Sequence, residues 1–565
     1  MYSSIITGAV HGLDSYLMRV ETDISNGLPS FNMVGFMSGE MREAGERVRV
    51  ALKNLGIHLP PQRITVNLSP AGIQKRGIIV DLPVSVGLLV CLGYIKPEST
   101  ENVLVVGELG LNGEIRPVNG ILSIVTEAKE NGIETCLVPN GNLSEGALVH
   151  GIRVVGVRSL AEMVNYLKKD DKERDRFLRP AKVNANQILE QMSRKQYPDF
   201  AGVHGQKQAK KVLEIAAAGF HNVLMIGPPG AGKSMLAKCL PGIMPPLTIE
   251  EALEITRIYS ASGRLSEDTA LITERPFISP HHSVTRAVLI GGGKFPTPGL
   301  ITLAHLGVLF LDEISEYPAS ELNSLREPLE SHEIVIRRLY GTYRFPARPL
   351  LVAAANPCPC GYYPDMNRCK CTPREVQKYQ RRISGPLIDR IDFRVNVGRV
   401  NSQDMQGLSE EESSEVIRGR VMEAIERQKY RFRGTPFHYN ADMTGDAVEH
   451  FCRLDSKLAC KMRIVYDNLE MSMRSYHKSL KMARTIADLN GREMILERDL
   501  MTAVGFRLPE YSEDEYSSGR EFEPGKRIEH KAVNYNVNAG GNTSAVCESE
   551  GYYGIEEWCE SEGDK

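Results

Sequence analysis

Gly227-Pro-Pro-Gly-Ala-Gly-Lys-Ser234 follows directly on the apolar run Asn222–Ile226 and precedes the helical pattern Met235–Leu240. The segment matches G-x-x-x-x-G-K-[ST], the phosphate-binding loop, in the strand–loop–helix setting that this motif requires. Glycines let consecutive backbone N–H groups face one anion, and the helix N-terminus adds positive potential. We therefore predict a nucleoside triphosphate site rather than a plain connecting turn. The predicted binding residues are Gly227, Pro228, Pro229, Gly230, Ala231, Gly232, Lys233, Ser234 and Met235.

Within this loop two side chains have separate expected roles. Lys233 is expected to reach the β- and γ-phosphates, and the hydroxyl of Ser234 is expected to bind Mg²⁺. ATP and Mg²⁺ are therefore the expected cofactors.

Two later strand patterns end in residues that a triphosphatase needs. Gly307-Val-Leu-Phe-Leu-Asp-Glu313 places two carboxylates after an apolar strand, and Leu350–Asn356 places an amide after another. Because ligands bind at the carboxyl ends of strands in an open parallel sheet, we expect these side chains beside the phosphate loop. Asp312 would support Mg²⁺, Glu313 would act as general base, and Asn356 would orient the water or sense the γ-phosphate. The alternative for Asn356 is a turn residue that ends a strand.

The composition is that of a globular protein with several domains. The chain has 565 residues, of which 42% are hydrophobic and 25% charged, and about two to four domains are expected at this length. The longest uncharged apolar run, Leu82–Ile95, is shorter than the ~18 residues of a membrane span. Met1–Thr7 does not resemble a secretory signal, so we expect a cytoplasmic protein, in which eleven cysteines do not argue for disulfides.

The net charge of −3 hides a difference between the end of the chain and the rest of it. Residues 510–565 contain 14 acidic and 5 basic side chains, whereas the preceding residues contain 57 acidic and 63 basic ones. The acidic segment is predicted to be disordered. The mildly basic remainder permits a polyanionic partner but does not establish one.

Local patterns divide the chain into three structured parts. Residues 1–165 alternate β-type runs such as Arg63–Leu68 with helical patterns such as Leu122–Asn131, which is typical of an α/β or α+β domain. A second α/β unit spans about residues 200–400. The pattern from Glu410 to Phe506 is helical.

The motifs together resemble a known family. The order of phosphate loop, Asp-Glu strand and Asn-ended strand is similar to that of AAA+ ATPases. Five further segments resemble, more narrowly, the magnesium-chelatase-like ComM/YifB family: Gly27–Phe31, Ala304–Glu313, Ala354–Gly361, Ser384–Asp392 and Ala483–Leu489. The resemblance covers about residues 1–508, and its motifs are highly specific.

The resemblance implies an α/β multidomain fold with a particular order of domains. The expected order is a domain similar to ribosomal protein S5 and Lon protease at 1–167, a charged linker at 168–198, an AAA+ core with a parallel sheet flanked by helices at 199–400, a helical lid at 401–508 and an acidic disordered tail at 509–565. The charged run Lys168–Arg176 would be a linker or a solvated helix.

Members of this family form hexameric rings, and ComM-type proteins are ATP-driven DNA helicases that promote branch migration during transformation. The resemblance therefore implies a magnesium-dependent ATPase that acts on DNA in recombination or natural transformation. Arg390 matches the arginine finger of the family, and Arg474 matches the sensor-2 arginine on the lid. Either arginine could instead form a surface ion pair. The alternatives are a chelatase-type ATPase that remodels a protein partner and an ATP-dependent protease.

Two β-type runs, Glu333–Arg338 and Thr342–Phe345, resemble the pre-sensor-1 hairpin that points into the ring channel in this clade. On this reading the arginines of the hairpin contact phosphates and Tyr340 stacks on a base. The candidate residues are Arg337, Arg338 and Arg344, with Lys294 from the second clade-specific insertion. The alternative is a hairpin with a solvated polar face.

Four cysteines lie close together: Cys358, Cys360, Cys369 and Cys371. Four thiolates around Zn²⁺ form a closed tetrahedral structural site. The C-x-C arms are tighter than the usual C-x₂-C, while disulfides are disfavoured in the cytosol. We favour a zinc site whose role is to fix the loop after Asn356.

Gly107–Gly120 in the first domain resembles the Lon-protease fold. In Lon proteases a serine in D-G-P-S-A-G is the nucleophile, and a lysine after a G-G-L segment is its base. Val84 and Leu122 stand at these positions, and neither side chain can attack or accept a proton. Ser85 is one position away from the nucleophile. We therefore expect a domain that is inactive as a protease and that binds DNA or organises the ring.

Overall fold

The computed structural model describes residues 1–35, 43–70, 79–192, 197–339, 341–399 and 411–507. These residues form an α/β protein with a mixed sheet, a parallel sheet and a set of C-terminal helices, which confirms the predicted α/β class. The acidic tail and Tyr340 lie outside the described residues, so the expectations for them stay predictions.

The mixed sheet belongs to residues 2–167, which we call the N-terminal domain. Its strands are β1 (Tyr2–His11), β2 (Asp14–Ser25), β3 (Ser30–Val34), β4 (Arg63–Ser69), β5 (Val103–Val105), β6 (Glu108–Leu109), β7 (Ile115–Arg116), β8 (Thr135–Pro139) and β9 (Arg153–Val157). β6 and β7 form a separate hairpin, and the other strands form one sheet in the order β3-β4-β2-β1-β5-β8-β9. The helices are Ala44–Asn54, Asp81–Cys91, Ile121–Glu130, Leu143–Gly146 and Leu160–Leu167.

Residue patterns explain why these segments form a layered domain. In β4 the side chains of Ile64, Val66 and Leu68 are buried and alternate with more exposed polar ones, the period of two of a strand with one buried face. Every residue of the helix Asp81–Cys91 is buried, so this apolar segment is a core helix and not a membrane span. The strand predicted at Arg63–Leu68 is confirmed.

The parallel sheet forms the centre of the second unit. Its strands are β10 (Val223–Ile226), β11 (Phe277–Ile278), β14 (Val308–Leu311), β17 (Leu350–Ala355) and β18 (Phe393–Asn396), in the order β11-β14-β17-β10-β18. Two hairpins accompany the sheet, β12 (Gly291–Gly292) with β13 (Thr297–Pro298) and β15 (Glu333–Arg338) with β16 (Gly341–Pro346). The helices are Lys207–Gly219, Lys233–Ile243, Ile249–Ala261, Arg286–Ile290, Leu300–Leu303, Ala319–Ser324, Pro328–Ser331, Pro373–Gln380 and Gly385–Ile388.

The C-terminal part of the described chain is helical, as predicted. Its helices are Ser414–Arg431, Gly445–Phe451, Ser456–Asn468, Met473–Leu489 and Glu497–Gly505. Alternate residues of β10 face opposite sides of the sheet. Val223 and Met225 join the core that the C-terminal helices complete, whereas Leu224 joins the core on the other face. Burial on both faces is what a parallel strand requires.

The segment predicted as a charged linker contains two helices, Asp171–Phe177 and Ala185–Met192. Ala185 is buried in a small apolar cluster with Leu122 of the N-terminal domain and Ile255 of the second unit. This segment therefore connects the two units and, through Ala185, also packs between them.

Candidate nucleotide site and basic hairpins

The phosphate-loop motif lies between β10 and the helix that begins at Lys233. Gly230 and Gly232 have φ values of +75° and +91°, a left-handed conformation that glycine adopts without steric cost. A Cβ atom on Gly227 would lie 2.1 Å from the carbonyl oxygen of Val397, so the loop also needs glycine there for close approach. Of the other predicted residues, Pro229 and Met235 are exposed and Ala231 is buried.

Lys233 is buried beneath this loop. Its ammonium group donates to the carbonyl oxygens of Gly227 at 2.6 Å and Pro228 at 3.0 Å, and to Oδ1 of Asn356 at 3.2 Å. These three acceptors use all three of its donors. Burial lowers the pKa of Lys233, an effect that the nearby carboxylates of Asp312 and Glu313 oppose.

The predicted magnesium residues lie side by side. The hydroxyl of Ser234 donates to Oδ2 of Asp312 at 2.7 Å, so both oxygens are placed to share one cation shell. Glu313 follows with a φ of +49°, and its backbone N–H donates to Oδ1 of Asp312 at 3.0 Å. The Glu313 side chain is exposed, which a general base that takes a proton from water requires.

Sheet topology brings these side chains together. β17 lies between β14 and β10, and all three run parallel. Their carboxyl ends therefore bring Asn356, Asp312 and the phosphate loop to one edge of the sheet. The hydrogen bond from Lys233 to Asn356 is the direct consequence of this order. The arrangement provides an ammonium, a hydroxyl, two carboxylates and an amide around one phosphate cradle.

Arg390 lies away from this cradle and is held by its own chain. Its guanidinium donates to the carbonyl oxygens of Arg326 at 2.8 Å and Pro386 at 2.7 Å, and it pairs with the carboxylate of Glu330. Its surroundings form an open cleft of about 480 Å³ that is lined by Asn323, Arg326, Glu327, Glu330, Ser331 and Arg390.

Arg474 meets Arg390 at the same carboxylate. Its guanidinium also pairs with Glu330, across a sequence separation of 144 residues. The sequence reading did not identify Glu330, because a glutamate in Arg326-Glu-Pro-Leu-Glu330 carries no motif signal. The two arginines that resemble the finger and sensor-2 residues are thus neighbours in the folded chain.

The two insertion hairpins contact each other. Nε of Arg338 donates to the carbonyl oxygen of Gly293 at 3.1 Å, which brings Lys294, the next residue, close to Arg338, whereas Arg337 points to the other face of the hairpin. All three of these basic side chains are exposed. Arg344 differs, because it forms an ion pair of 2.9 Å with Glu333 on the opposite strand, and part of its charge is neutralised.

The four cysteine thiols converge in the loop after Asn356. The Sγ atoms of Cys358, Cys360, Cys369 and Cys371 all lie within 4.8 Å of one another. Individual Sγ–Sγ distances of 3.3, 3.6 and 3.8 Å approach the ~3.8 Å edge of a tetrahedral Zn(Cys)₄ site. The backbone N–H of Tyr363 is 3.4 Å from Sγ of Cys358, a contact that suits a thiolate. The donor set and spacing therefore fit Zn²⁺.

The protease-like positions of the N-terminal domain are buried in apolar surroundings. Val84 is buried in the core of the N-terminal domain, and Leu122 is buried in the small cluster between the two units. The hydroxyl of Ser85 is also buried and donates to the backbone carbonyl oxygen of Asp81 at 2.9 Å. These three side chains do not form a nucleophile–base pair.

None of the described helices combines the length and the apolarity that a membrane crossing requires.

Three family models match the chain in succession. They describe subunit ChlI of magnesium chelatase over residues 20–142, magnesium chelatase subunit ChlI over 199–405 and its C-terminal part over 411–507. An uncharacterized protein of Mycobacterium tuberculosis is 40% identical over 500 residues, 88% of this chain and 97% of the relative. The competence protein ComM of Haemophilus influenzae is 36% identical over 505 residues, and the uncharacterized protein YifB of Escherichia coli is 38% identical over 510 residues. Each of these two alignments covers 89% of this chain and 97% of the relative.

Proposed function

The chain belongs to the magnesium-chelatase-like family that contains ComM and YifB, and on this premise we propose that it is a magnesium-dependent AAA+ ATPase and a hexameric DNA helicase. Recombination or natural transformation would be its setting, by analogy with the relative named as a competence protein. The observation that carries the proposal is the convergence of Lys233, Ser234, Asp312 and Asn356 at one sheet edge.

Each side chain of the site has a role that its position supports. Lys233 and the loop N–H groups bind the phosphates of ATP, and Ser234 and Asp312 provide the oxygens for Mg²⁺. Glu313, exposed beside Asp312, accepts the proton of the attacking water. Asn356 orients that water, because an amide both donates and accepts hydrogen bonds without carrying charge.

We propose that Arg390 and Arg474 complete the site of a second copy. Both side chains contact Glu330 beside an open cleft, whereas the phosphate loop of the same chain is occupied by Lys233. A contact between two different faces of identical subunits closes naturally into a ring. An arginine from the neighbouring copy then neutralises charge on the transferred phosphoryl group.

The surface formed by Lys294, Arg337 and Arg338 is the proposed DNA contact. Its support is the hydrogen bond from Arg338 to Gly293, which brings the two basic hairpins together, and the exposure of all three side chains. Such a surface binds the phosphate backbone without reading sequence. Arg344 contributes less because of its pairing with Glu333.

The test is the ATPase rate with single-stranded, duplex and forked DNA, together with the particle mass in the presence of nucleotide. We expect DNA to stimulate hydrolysis and the double variant Arg337→Ala/Arg338→Ala to lose that stimulation while its DNA-free rate stays unchanged. The matched control is Arg344→Ala, which should reduce stimulation only slightly. Hydrolysis that is indifferent to every DNA form would instead support a chelatase-type ATPase acting on a protein.

We further propose that Cys358, Cys360, Cys369 and Cys371 hold one structural Zn²⁺, which supplies a rigid cross-link between the two ends of their loop. Elemental analysis of the purified protein should find about one zinc per chain. Cys369→Ser should lose the metal, whereas Cys136→Ala, a buried cysteine in β8, should keep it. Unchanged zinc in the Cys369→Ser protein would rule the site out.

The N-terminal domain is proposed to have an S5/Lon-like fold without protease activity. Val84 and Leu122 support the loss of activity, since neither side chain can act as nucleophile or base, and the buried hydroxyl of Ser85 donates to the carbonyl oxygen of Asp81. Cleavage of casein by the purified protein would overturn this assignment.

A further inference from the structure

The turn between β1 and β2 reaches out of the N-terminal domain and packs on the β15–β16 hairpin. The ring of His11 stacks on the ring of Tyr343, with centroids 4.2 Å apart and planes inclined by 21°. Leu13 is buried in the same apolar cluster as Ile336 and Tyr343. A Cβ atom on Gly12 would come within 3.3 Å of the Tyr343 ring, so the turn and the hairpin are in close contact.

The second unit holds this turn from the other side. Nε of Arg257, in the helix Ile249–Ala261, donates to the carbonyl oxygen of Leu13 at 3.1 Å, and Nη2 donates to Oδ1 of Asp14 at 3.1 Å. The hydroxyl of Ser123 donates to the same Leu13 carbonyl at 3.0 Å. The turn is therefore fixed between a helix of the second unit and the hairpin.

The contact lies at the end of the hairpin that carries the basic side chains. Arg338 is paired with Gly341 in the register of the hairpin. A Cβ atom on Gly341 would be 2.9 Å from the imidazole of His11. His11 thus lies directly against the strand pair that presents Arg337 and Arg338.

An isolated two-stranded hairpin is marginally stable in water and needs its apolar face covered. Ile334, Ile336, Tyr343 and Phe345 form that face and are buried, while Arg337 and Arg344 point to the opposite, exposed face. Near the tip, the N-terminal domain supplies part of the cover through His11, Gly12 and Leu13. The position of the tip therefore depends on a domain that is distant in sequence.

We propose that the N-terminal domain positions the DNA-binding hairpin and that His11 is the positioning residue. The ring of His11 stacks on Tyr343 and thereby keeps Arg337 and Arg338 where they contact DNA phosphates. This proposal rests on the function proposed above, because it presumes that the hairpin binds DNA. It gives the N-terminal domain a mechanical role in DNA engagement that needs no DNA contact of its own.

The experiment compares His11→Ala with His11→Phe in the full chain. His11→Ala removes the stacked ring and should raise the DNA concentration for half-maximal ATPase stimulation about three- to tenfold, the factor that one aromatic pair is worth. His11→Phe keeps a stacking ring and should restore the wild-type value. The DNA-free ATPase rate should be the same in all three proteins, which a general loss of structure would not allow.

Two further measurements make the result decisive. Asp14→Ala removes an exposed ion pair of the same turn and should leave DNA stimulation unchanged. Amide exchange in residues 333–346 should accelerate in His11→Ala, even if that variant is less stable overall, and should not accelerate in Asp14→Ala.

Normal DNA stimulation in His11→Ala, with loss of stimulation in Arg337→Ala/Arg338→Ala, would overturn the role of His11 and leave the proposed function standing. Failure of His11→Phe to rescue would overturn it too. Normal stimulation in the double arginine variant would instead refute the DNA role of the hairpin, and this inference with it.

Discussion

If Arg390 completes the nucleotide site of a second copy, two inactive variants should restore activity when they are mixed. Lys233→Ala loses the ammonium that binds the phosphates but keeps Arg390. Arg390→Ala keeps a complete phosphate cradle but has no guanidinium to offer to its neighbour. Each protein alone should be nearly inactive, because losing such an arginine lowers kcat by about 10³–10⁵.

The expected recovery follows from the geometry of a closed ring. In rings assembled at random from equal amounts of the two variants, an interface is competent only where the cradle of an Arg390→Ala subunit faces the arginine of a Lys233→Ala subunit. This occurs at about one quarter of the interfaces in a ring with a single interface type. The mixture should therefore recover about one quarter of the wild-type rate if the interfaces work independently.

The ion pair with Glu330 does not prevent this transfer. The Glu330 side chain is 51% exposed and that of Arg390 13%, so their ion pair is partly buried and contributes at least the about 0.2–1 kcal/mol of an exposed pair. The transition-state stabilisation expected of Arg390 is about 4–7 kcal/mol. Exchange of Glu330 alone for a developing phosphoryl charge is therefore favourable, and the hydrogen bonds to Arg326 and Pro386 must be replaced as well.

The assay is steady-state phosphate release at constant total protein, with the ratio of the variants changed stepwise after co-assembly. The rate should rise to a maximum near equal amounts. The control mixes Lys233→Ala with the double variant Lys233→Ala/Arg390→Ala, which should stay inactive at every ratio. A rate that follows the weighted sum of the two separate proteins would refute an arginine shared between copies.

Other side chains give narrower tests. Glu313→Gln should keep ATP binding but slow single-turnover hydrolysis about 10²–10⁴-fold, because the amide accepts no proton. Ser234→Ala should raise the Mg²⁺ concentration for half-maximal ATPase activity, since it removes the hydroxyl beside Asp312. Burial alone would raise the pKa of Asp392, but its 2.7 Å ion pair with Lys478 and its contact with His221 together outweigh burial and lower the pKa. The stabilisation from this pair is therefore complete above the unfolded-state pKa of about 3.9 and is lost as the pH falls below it. Asp392→Asn should lower the free energy of unfolding at pH 7 by about 3–5 kcal/mol and flatten its acid dependence, as measured by denaturant titration from pH 3 to pH 7.

Local sequence patterns predicted the elements that carry the nucleotide site. The phosphate loop, the strand before Asp312 and the strand before Asn356 each have a continuous signal within ten residues, and a parallel sheet brings their carboxyl ends to the same edge. The close approach of the four cysteines could also be predicted, because their spacing alone restricts them to one loop. The geometry of these parts agrees with the predicted arrangement, while their catalytic and metal-binding roles stay predictions.

Contacts between distant segments could not be predicted in this way. Glu330 pairs with a residue 144 positions away, and His11 stacks on Tyr343 across more than half the described chain. Neither residue belongs to a periodic pattern or a motif, so neither has a local signal. Such pairs depend on how the domains dock, and docking is determined by surfaces that are assembled only after each sheet has folded.

Asn222 explains why Arg390 has a fixed position relative to the nucleotide site. Its Oδ1 accepts a hydrogen bond from the backbone N–H of Leu351 at 2.9 Å, and its Nδ2 donates to the carbonyl oxygen of Arg390 at 3.1 Å. Its own backbone N–H donates to Oδ2 of Asp392 at 2.9 Å. Asn222, at the amino end of β10, thus joins β17, the strand that ends at Asn356, to the backbone of Arg390 and to the carboxylate of Asp392. Because the backbone of Arg390 is tied to the sheet, the proposed contact with a neighbouring copy would require only its side chain to move, away from Glu330 and from the carbonyl oxygens of Arg326 and Pro386.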